Sequence, residues 1–240
     1  MTPQNYEPET TSLWRFPYRG DWATHDSKYR GNWSPYIPRN LIERYTKKGD
    51  TILDQFAGGG TTLVEAKLLN RNCIGIDIND YALERCRRKI AFNCGTSAVV
   101  EAYRGNALDL SHISDNSIDM ICTHPPYADI IRYSDSTAGD ISRLPHSDFL
   151  KSMRVVANES LRVLKKGKVC AFMVGDIRKQ GNVIPLGFLT MQVFVDAGFR
   201  NKEIVIKEQF NCRSSSYWTV RAQEMNFFLL AHEYIFVLAK

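Results

Sequence analysis

Residues 51–62 constrain this chain more than any other stretch. Thr51-Ile52-Leu53-Asp54-Gln55-Phe56 is a short apolar run, Gly58-Gly59-Gly60 follows it, and 61–69 has helical character. A strand that ends in glycines and turns into a helix lets the backbone bend tightly and approach a ligand closely. The spacing is not G-x-G-x-x-G, so it gives little support to a dinucleotide pyrophosphate. A second apolar run, 72–77, ends in Asp77. An acid at the end of that strand can accept both hydroxyls of a ribose. Together the two features predict a nucleoside-bearing cofactor. The plain alternative is a glycine-rich turn with Asp77 or Asn79 capping the next helix. In Arg104-Gly105-Asn106-Ala107, Asn106 could reach a nucleobase edge, though Asn after Gly commonly marks a turn.

The remaining chain continues the alternation. Apolar runs recur at 98–103, 118–123, 169–174, 203–206 and 233–238, and helical patterns fall near 79–93, 149–164 and 185–197. This predicts βαβ units and a parallel sheet. Between the last two strands lies only the polar segment 207–223, without a helix period. That predicts an antiparallel last strand, because parallel neighbours need a crossover. The expected fold is α/β, a seven-stranded mostly parallel sheet with an antiparallel last strand and helices on both faces. A single domain, 1–240, would hold it, with 1–48 as an N-terminal arm. No run approaches the roughly 18 apolar residues of a membrane span. Residues 1–17 are polar, without the apolar centre of a secretory signal, so the cytoplasm is the expected location. The six Cys are never spaced C-x-x-C. No zinc, redox or other metal site is expected, and Cys73, Cys122 and Cys170 read as small buried hydrophobes. A net charge of +5 permits a polyanionic partner without requiring one.

Thr123-His124-Pro125-Pro126-Tyr127 ends the fourth apolar run, where open α/β sheets bind ligands. Two prolines hold the chain extended and remove two donors. What remains is a row of acceptors, the carbonyls and a neutral His124 ring, beside the flat face of Tyr127. Such a row suits a planar group bearing an NH2. In isolation, a Pro-Pro turn with a surface Tyr would be the better reading. The glycine motif one sheet position away favours the first.

These segments resemble the amino-group DNA methyltransferases, which use S-adenosylmethionine to methylate N6 of adenine or N4 of cytosine. Residues 54–62 resemble their cofactor motif, with Gln55 replacing the usual Pro, and 123–127 resemble their Asp/Asn/Ser-Pro-Pro-Tyr/Phe catalytic motif. Residues 231–237 are similar to their closing strand, and 32–45 to the segment that closes over the methionine end of the cofactor. The resemblance implies a Rossmann-like fold, and an arm, 1–48, that closes over S-adenosylmethionine. It implies cofactor contacts from Ser34, Pro35, Asp54, Phe56, Gly58, Gly60, Thr61, Asp77, Ile78, Asn106 and Ala107. His124 departs from the family pattern. Tyr133-Ser134 matches the surroundings seen in N4-cytosine enzymes, which slightly favours cytosine N4 over adenine N6.

The implied chemistry needs no protein nucleophile. His124 and the Pro125 carbonyl would hold the amino group, with Pro126 and Tyr127 completing the wall on which a flipped base stacks. None of the Cys lies in the Pro-Cys arrangement of C5-cytosine methylation, so that reaction is rejected. An unperturbed His titrates near about 6.5, so activity should fall below that pH. Segment 207–226 is the expected recognition loop for double-stranded DNA, through Arg213, Ser215, Tyr217, Trp218 and Arg221, with 128–145 as a candidate lid. Lys165, Lys166 and Lys168 read as a helix C-terminal cluster. A cognate restriction endonuclease is a candidate partner, and monomer and homodimer are both open. Two rival readings are an RNA or tRNA base methyltransferase and a recognition subunit without catalysis.

Overall fold

The computed structural model describes every residue except 1, 5, 135, 136 and 211–214, and the side chains of 215 and 216. One sheet dominates. Its strands are β1 (Leu13–Trp14), β2 (Thr51–Asp54), β3 (Asn72–Asp77), β4 (Val100–Arg104), β5 (Ile118–Thr123), β6 (Leu164–Val174), β9 (Arg200–Glu208) and β10 (His232–Ala239), in the order β1-β9-β10-β6-β5-β2-β3-β4. Strand β10 runs antiparallel to both neighbours, and every other pairing is parallel. The seven expected strands are present. Leu13–Trp14 from the N-terminal arm adds an eighth beside β9, too short for an alternation to announce it.

Strand side chains alternate between two cores, as the period of two requires. Leu53, Ile121 and Phe172 join one core with Phe149, Phe194 and Phe236. Ile52, Met120, Cys122 and Ala171 join the other with Ile37, Leu41 and Leu63. The first core lies under α4 (His146–Val163) and α5 (Leu186–Ala197), the second under α1 (Tyr36–Tyr45), α2 (Thr61–Leu68) and α3 (Asp80–Ile90). Helix α4 shows why it sits there. Its buried residues Phe149, Met153, Val156, Ala157, Ser160 and Val163 follow the helical period and form one stripe. Cys73, Cys86, Cys122 and Cys170 are buried and free, and burial raises each thiol pKa. They are packing residues, not nucleophiles.

One local expectation is corrected. Segment 207–223 holds a helix, α6 (Ser215–Glu224), which the sequence hides because Tyr217, Trp218 and Val220 are all exposed and no apolar stripe forms. Lys165, Lys166 and Lys168 follow the C-cap of α4, Leu164, as expected of a helix C-terminal cluster, and already lie in β6, with Lys165 and Lys168 paired to Asp119. A hairpin, β7 (Ile177–Lys179) and β8 (Asn182–Ile184), follows β6. Its turn residues Gln180 and Gly181 both have positive φ, as a two-residue hairpin turn demands.

The sheet order reverses direction at β2. From there the chain moves through β3 and β4 on one side, and through β5 and β6 on the other. A crevice opens at such a switch point, outside the carboxyl ends of the strands.

Candidate active site

Both sequence motifs end at that crevice. Asp54 closes β2 and Thr123 closes β5, and the Thr123 hydroxyl donates to Asp54 Oδ1 at 2.7 Å. Burial pushes the Asp54 carboxyl up to about 6, against the hydrogen bonds that favour its charge. Asp77 ends β3. Its Oδ2 accepts from the Gly58 N–H at 2.7 Å and its Oδ1 from the Asn79 N–H at 2.9 Å. Burial raises the Asp77 pKa, and these N–H donors oppose the rise. The Asn79 side chain caps α3 by accepting from the Tyr81 N–H, so Asp77 itself is left to face the cleft. Gly58 and Gly60 have φ of 49° and 81°, a region open mainly to glycine. At Gly59 a Cβ would lie 2.7 Å from the Asn32 amide, so the loop fits under the arm only without a side chain.

Two cavities meet here. The inner one is open to solvent and is lined by Asp54, Phe56, Gly58, Thr61, Asp77, Ile78, Asn106 and Ala107. Eight of the expected cofactor residues therefore line one cleft. Ser34 lines the outer cavity instead, where its hydroxyl donates to the Arg19 carbonyl. Pro35, buried, starts α1, and Gly60 starts α2 against Cys86; neither lines either of these two cavities. Asn106 Oδ1 accepts from the Leu108 N–H, so its acceptor serves the local turn. The inner wall also holds Asn32 and Trp33 from the segment expected to close over the cofactor, Tyr133 and Ser142 from the candidate lid, and Tyr29, which no motif marked. Tyr29 stacks on Tyr133 at 6.0 Å. Segment 128–145 thus reaches the inner cleft through Tyr133 and residues 139–142, as well as the outer one.

The outer cavity is lined by Pro125, Tyr127, Arg19, Lys207 and Glu233, and shares His124 and Pro126 with the inner one. His124 stacks on Trp33, rings 5.4 Å apart and nearly parallel. Its Nε2 lies 2.8 Å from the Tyr127 hydroxyl, which donates to Glu233 Oε1 at 2.6 Å. Lys207 donates to Glu233 Oε2 at 3.0 Å. Burial lowers the His124 pKa to about 4, with Lys207 and Arg19 acting the same way and Glu233 and a hydrogen bond to the Gly31 backbone opposing. The ring is therefore neutral well below the pH of an ordinary His. Burial works against the Glu233 charge, but Lys207, His124 and Tyr127 overcome it and hold its pKa down.

The arm is pinned by a buried polar cluster. Glu65 on α2, fully buried, accepts from Trp22 Nε1 and Arg39, with His25 Nε2 at 2.6 Å. This carries Tyr29, Asn32 and Trp33 to the cleft. Helix α6 presents Tyr217, Trp218 and Arg221 to solvent. Arg178 of the hairpin donates to the Phe228 carbonyl and covers the Phe227 ring. Arg213 lies outside the described residues, as does the side chain of Ser215. Among the described residues no cluster suits a metal ion, and no helix is long and apolar enough to cross a membrane.

A DNA methylase family matches residues 2–88, covering the arm, the glycine loop and Asp77. A methyltransferase-domain family matches residues 46–214, most of the chain. The chain belongs to the methyltransferase-domain family. S-adenosylmethionine is the cofactor that goes with it. The methyltransferase is 36% identical to a tRNA (guanine(10)-N2)-dimethyltransferase of Methanothermobacter thermautotrophicus over 125 residues, 52% of this chain and 35% of that one. It is 36% identical to the type II methyltransferase M2.MboI of Moraxella bovis over 89 residues, 37% of this chain and 33% of that one. The aligned part thus spans about a third of the length of these curated relatives. Together with the DNA methylase match, the type II relatives bear out the resemblance seen in the motifs. A methyltransferase of Methanosarcina mazei shares the fold, with a TM-score of 0.58 at 18% identity, covering 83% of this chain and 96% of that one. The [4+2]-cyclase SpnF superposes with a TM-score of 0.56 at 15% identity, covering 88% and 84%. The fold alone therefore does not fix the reaction.

Proposed function

We propose that this methyltransferase transfers a methyl group to the exocyclic amino group of a DNA base flipped into the outer cavity, with cytosine N4 slightly favoured over adenine N6. One observation carries the reading. His124 and Pro126 stand in both cavities, so a donor in the inner cleft and a planar amine in the outer one would meet across the His-Pro-Pro-Tyr wall. The inner cleft fits S-adenosylmethionine. Asp77 offers a carboxylate for the ribose, and the glycine loop brings bare backbone to the cleft.

When bound, S-adenosylmethionine supplies a methyl group activated by its sulfonium. The protein's task is to place the amine. Neutral His124 and the Pro125 carbonyl accept its hydrogens and draw the nitrogen lone pair out of the ring. Pro126 and Tyr127 hold the base plane, and Trp33 keeps the His124 ring in place. The exposed aromatics and Arg221 of α6 are assigned to the DNA backbone and grooves. The arm, 1–48, closes over the cofactor within a single domain, 1–240. The type II relatives support DNA as substrate and leave a restriction endonuclease as candidate partner.

A second reading, methylation of an amino group in tRNA, is favoured by the match over 125 residues to the guanine-N2 enzyme. The test is incubation with labelled S-adenosylmethionine and either double-stranded DNA or bulk tRNA, followed by digestion to nucleosides and mass spectrometry. N4-methylcytosine or N6-methyladenine in DNA is expected. N2-methylguanosine in tRNA would replace this reading with the second. Cofactor binding without methylation of either would point to a recognition subunit.

A further inference from the structure

We propose that Glu233 and Lys207 are positioning residues that fix the tautomer of His124, leaving Nδ1 as the one acceptor of the ring. The proposal rests on the reading of His124 as an acceptor for the target amine. Lys207 and Glu233 sit directly opposite each other on β9 and β10, and both line the outer cavity. The chain of bonds runs Lys207 Nζ to Glu233 Oε2, Tyr127 Oη to Glu233 Oε1, and Tyr127 Oη to His124 Nε2.

The direction of each bond follows from the groups. An ammonium only donates and a carboxylate only accepts. The single hydroxyl hydrogen of Tyr127 therefore goes to Glu233. The Tyr127 oxygen must then accept from Nε2, which carries the ring hydrogen. A neutral imidazole has one such hydrogen, so Nδ1 keeps its lone pair. The charged groups acting on the ring are Glu233 and Lys207 from the sheet end and Arg19 from the arm, and the backbone of Gly31 on the arm also hydrogen-bonds the ring. Asp, Asn or Ser at position 124 would offer an oxygen and need no such lock. With His, the wrong tautomer would turn the acceptor into a donor, the kind of loss known when a catalytic His is held in the wrong tautomer.

Glu233→Gln tests this sharply. Lys207 still needs an acceptor, so the Gln carbonyl turns to Lys207 and its NH2 to Tyr127. The Tyr127 hydroxyl then donates to Nε2, and the ring hydrogen moves to Nδ1. Adding Lys207→Met frees the Gln to turn back and restores the original tautomer. Long-range ¹H–¹⁵N NMR of the imidazoles in ¹⁵N-labelled protein reads the tautomer without substrate. The expected ring is Nε2–H in wild type, Nδ1–H in Glu233→Gln, and Nε2–H again in the double variant. Methylation should follow, with kcat down at least about tenfold in the single variant and KM for DNA little changed. Tyr127→Phe, which removes the linking hydroxyl, gives a mixture of tautomers and serves if Glu233→Gln does not fold. A wild-type ring carrying Nδ1–H, or a Glu233→Gln ring still carrying Nε2–H, overturns the proposal. An inverted ring with unchanged methylation keeps the lock and overturns the acceptor role of His124 instead.

Discussion

Thr123 and Asp54 are joined by a hydrogen bond of 2.7 Å across the junction of β5 and β2. That bond ties the catalytic motif to the cofactor motif at the switch point of the sheet. It also places a carboxyl with a raised pKa beside a His with a lowered one, and the pair has a consequence for stability.

Folding favours protonated Asp54, whose pKa rises from 3.8 to about 6. The folded state binds more protons than the unfolded state in that interval, so Asp54 lowers stability as pH rises through it. Folding favours neutral His124, whose pKa falls from 6.5 to about 4. There the unfolded state binds more protons, so His124 raises stability as pH rises from 4 to 6.5. The two slopes oppose each other over nearly one window. Thermal unfolding between pH 4 and 6.5 should show Asp54→Asn gaining stability with pH more steeply than wild type. His124→Asn should show the reverse. Parallel curves for both variants would deny the shifts.

His124 stays neutral to about pH 4, so methylation in single turnover should not fall near 6.5, where an ordinary His would titrate. His124→Ser or Asn should keep part of the rate. His124→Ala or Lys should lose on the order of 10²–10³, by analogy with the loss of one oxyanion-hole donor. An alanine variant as fast as wild type would remove the residue from the reaction.

Asp77→Ala should weaken S-adenosylmethionine binding by roughly 1.5–3 kcal/mol, the range for a hydrogen bond to a charged group. The loss has two sources: the ribose acceptor, and the anchor of the Gly58 N–H. Isothermal calorimetry measures it, and an unchanged dissociation constant would remove Asp77 from the site.

Glu65→Ala takes the nearer of two carboxylates from buried Arg39 and leaves it Glu43 at 3.5 Å. Breaking a buried pair from one side costs about 3–5 kcal/mol. Urea unfolding should show that loss. Cofactor affinity should fall with it, because the same cluster delivers Trp33 and Tyr29 to the inner cleft.

Trp218→Ala should weaken DNA binding with little change in its salt dependence, since an aromatic contributes stacking. Arg221→Ala should flatten the salt dependence by less than one phosphate's worth, because Glu224 already pairs with Arg221. A salt series of binding isotherms separates the two effects.

What the sequence disclosed follows from how local each signal is. Asp54, Gly58, Asp77 and His124 each close an apolar run, and the strand ends of a parallel sheet are where ligands bind; eight expected residues line one cleft for that reason. Asn32 fell in the segment whose resemblance implies closure over the cofactor, whereas Tyr29 escaped because nothing in the spacing of the arm says that it will cover the glycine loop. Lys207 reads as the first residue of the polar segment expected to recognise DNA, yet it turns inward to Glu233, because register between β9 and β10 is set by pairing over a distance. Helix α6 escaped because its exposed residues carry no period.

The reversal of β10 also changes where along a strand one should look for chemistry. In β2, β3 and β5 the functional residues Asp54, Asp77 and Thr123 are the last of the strand. Strand β10 starts at the crevice and runs away from it, and its polar residues His232 and Glu233 precede its apolar run. The last acid of the site is therefore an opening residue, and a scan of strand ends alone would pass over it.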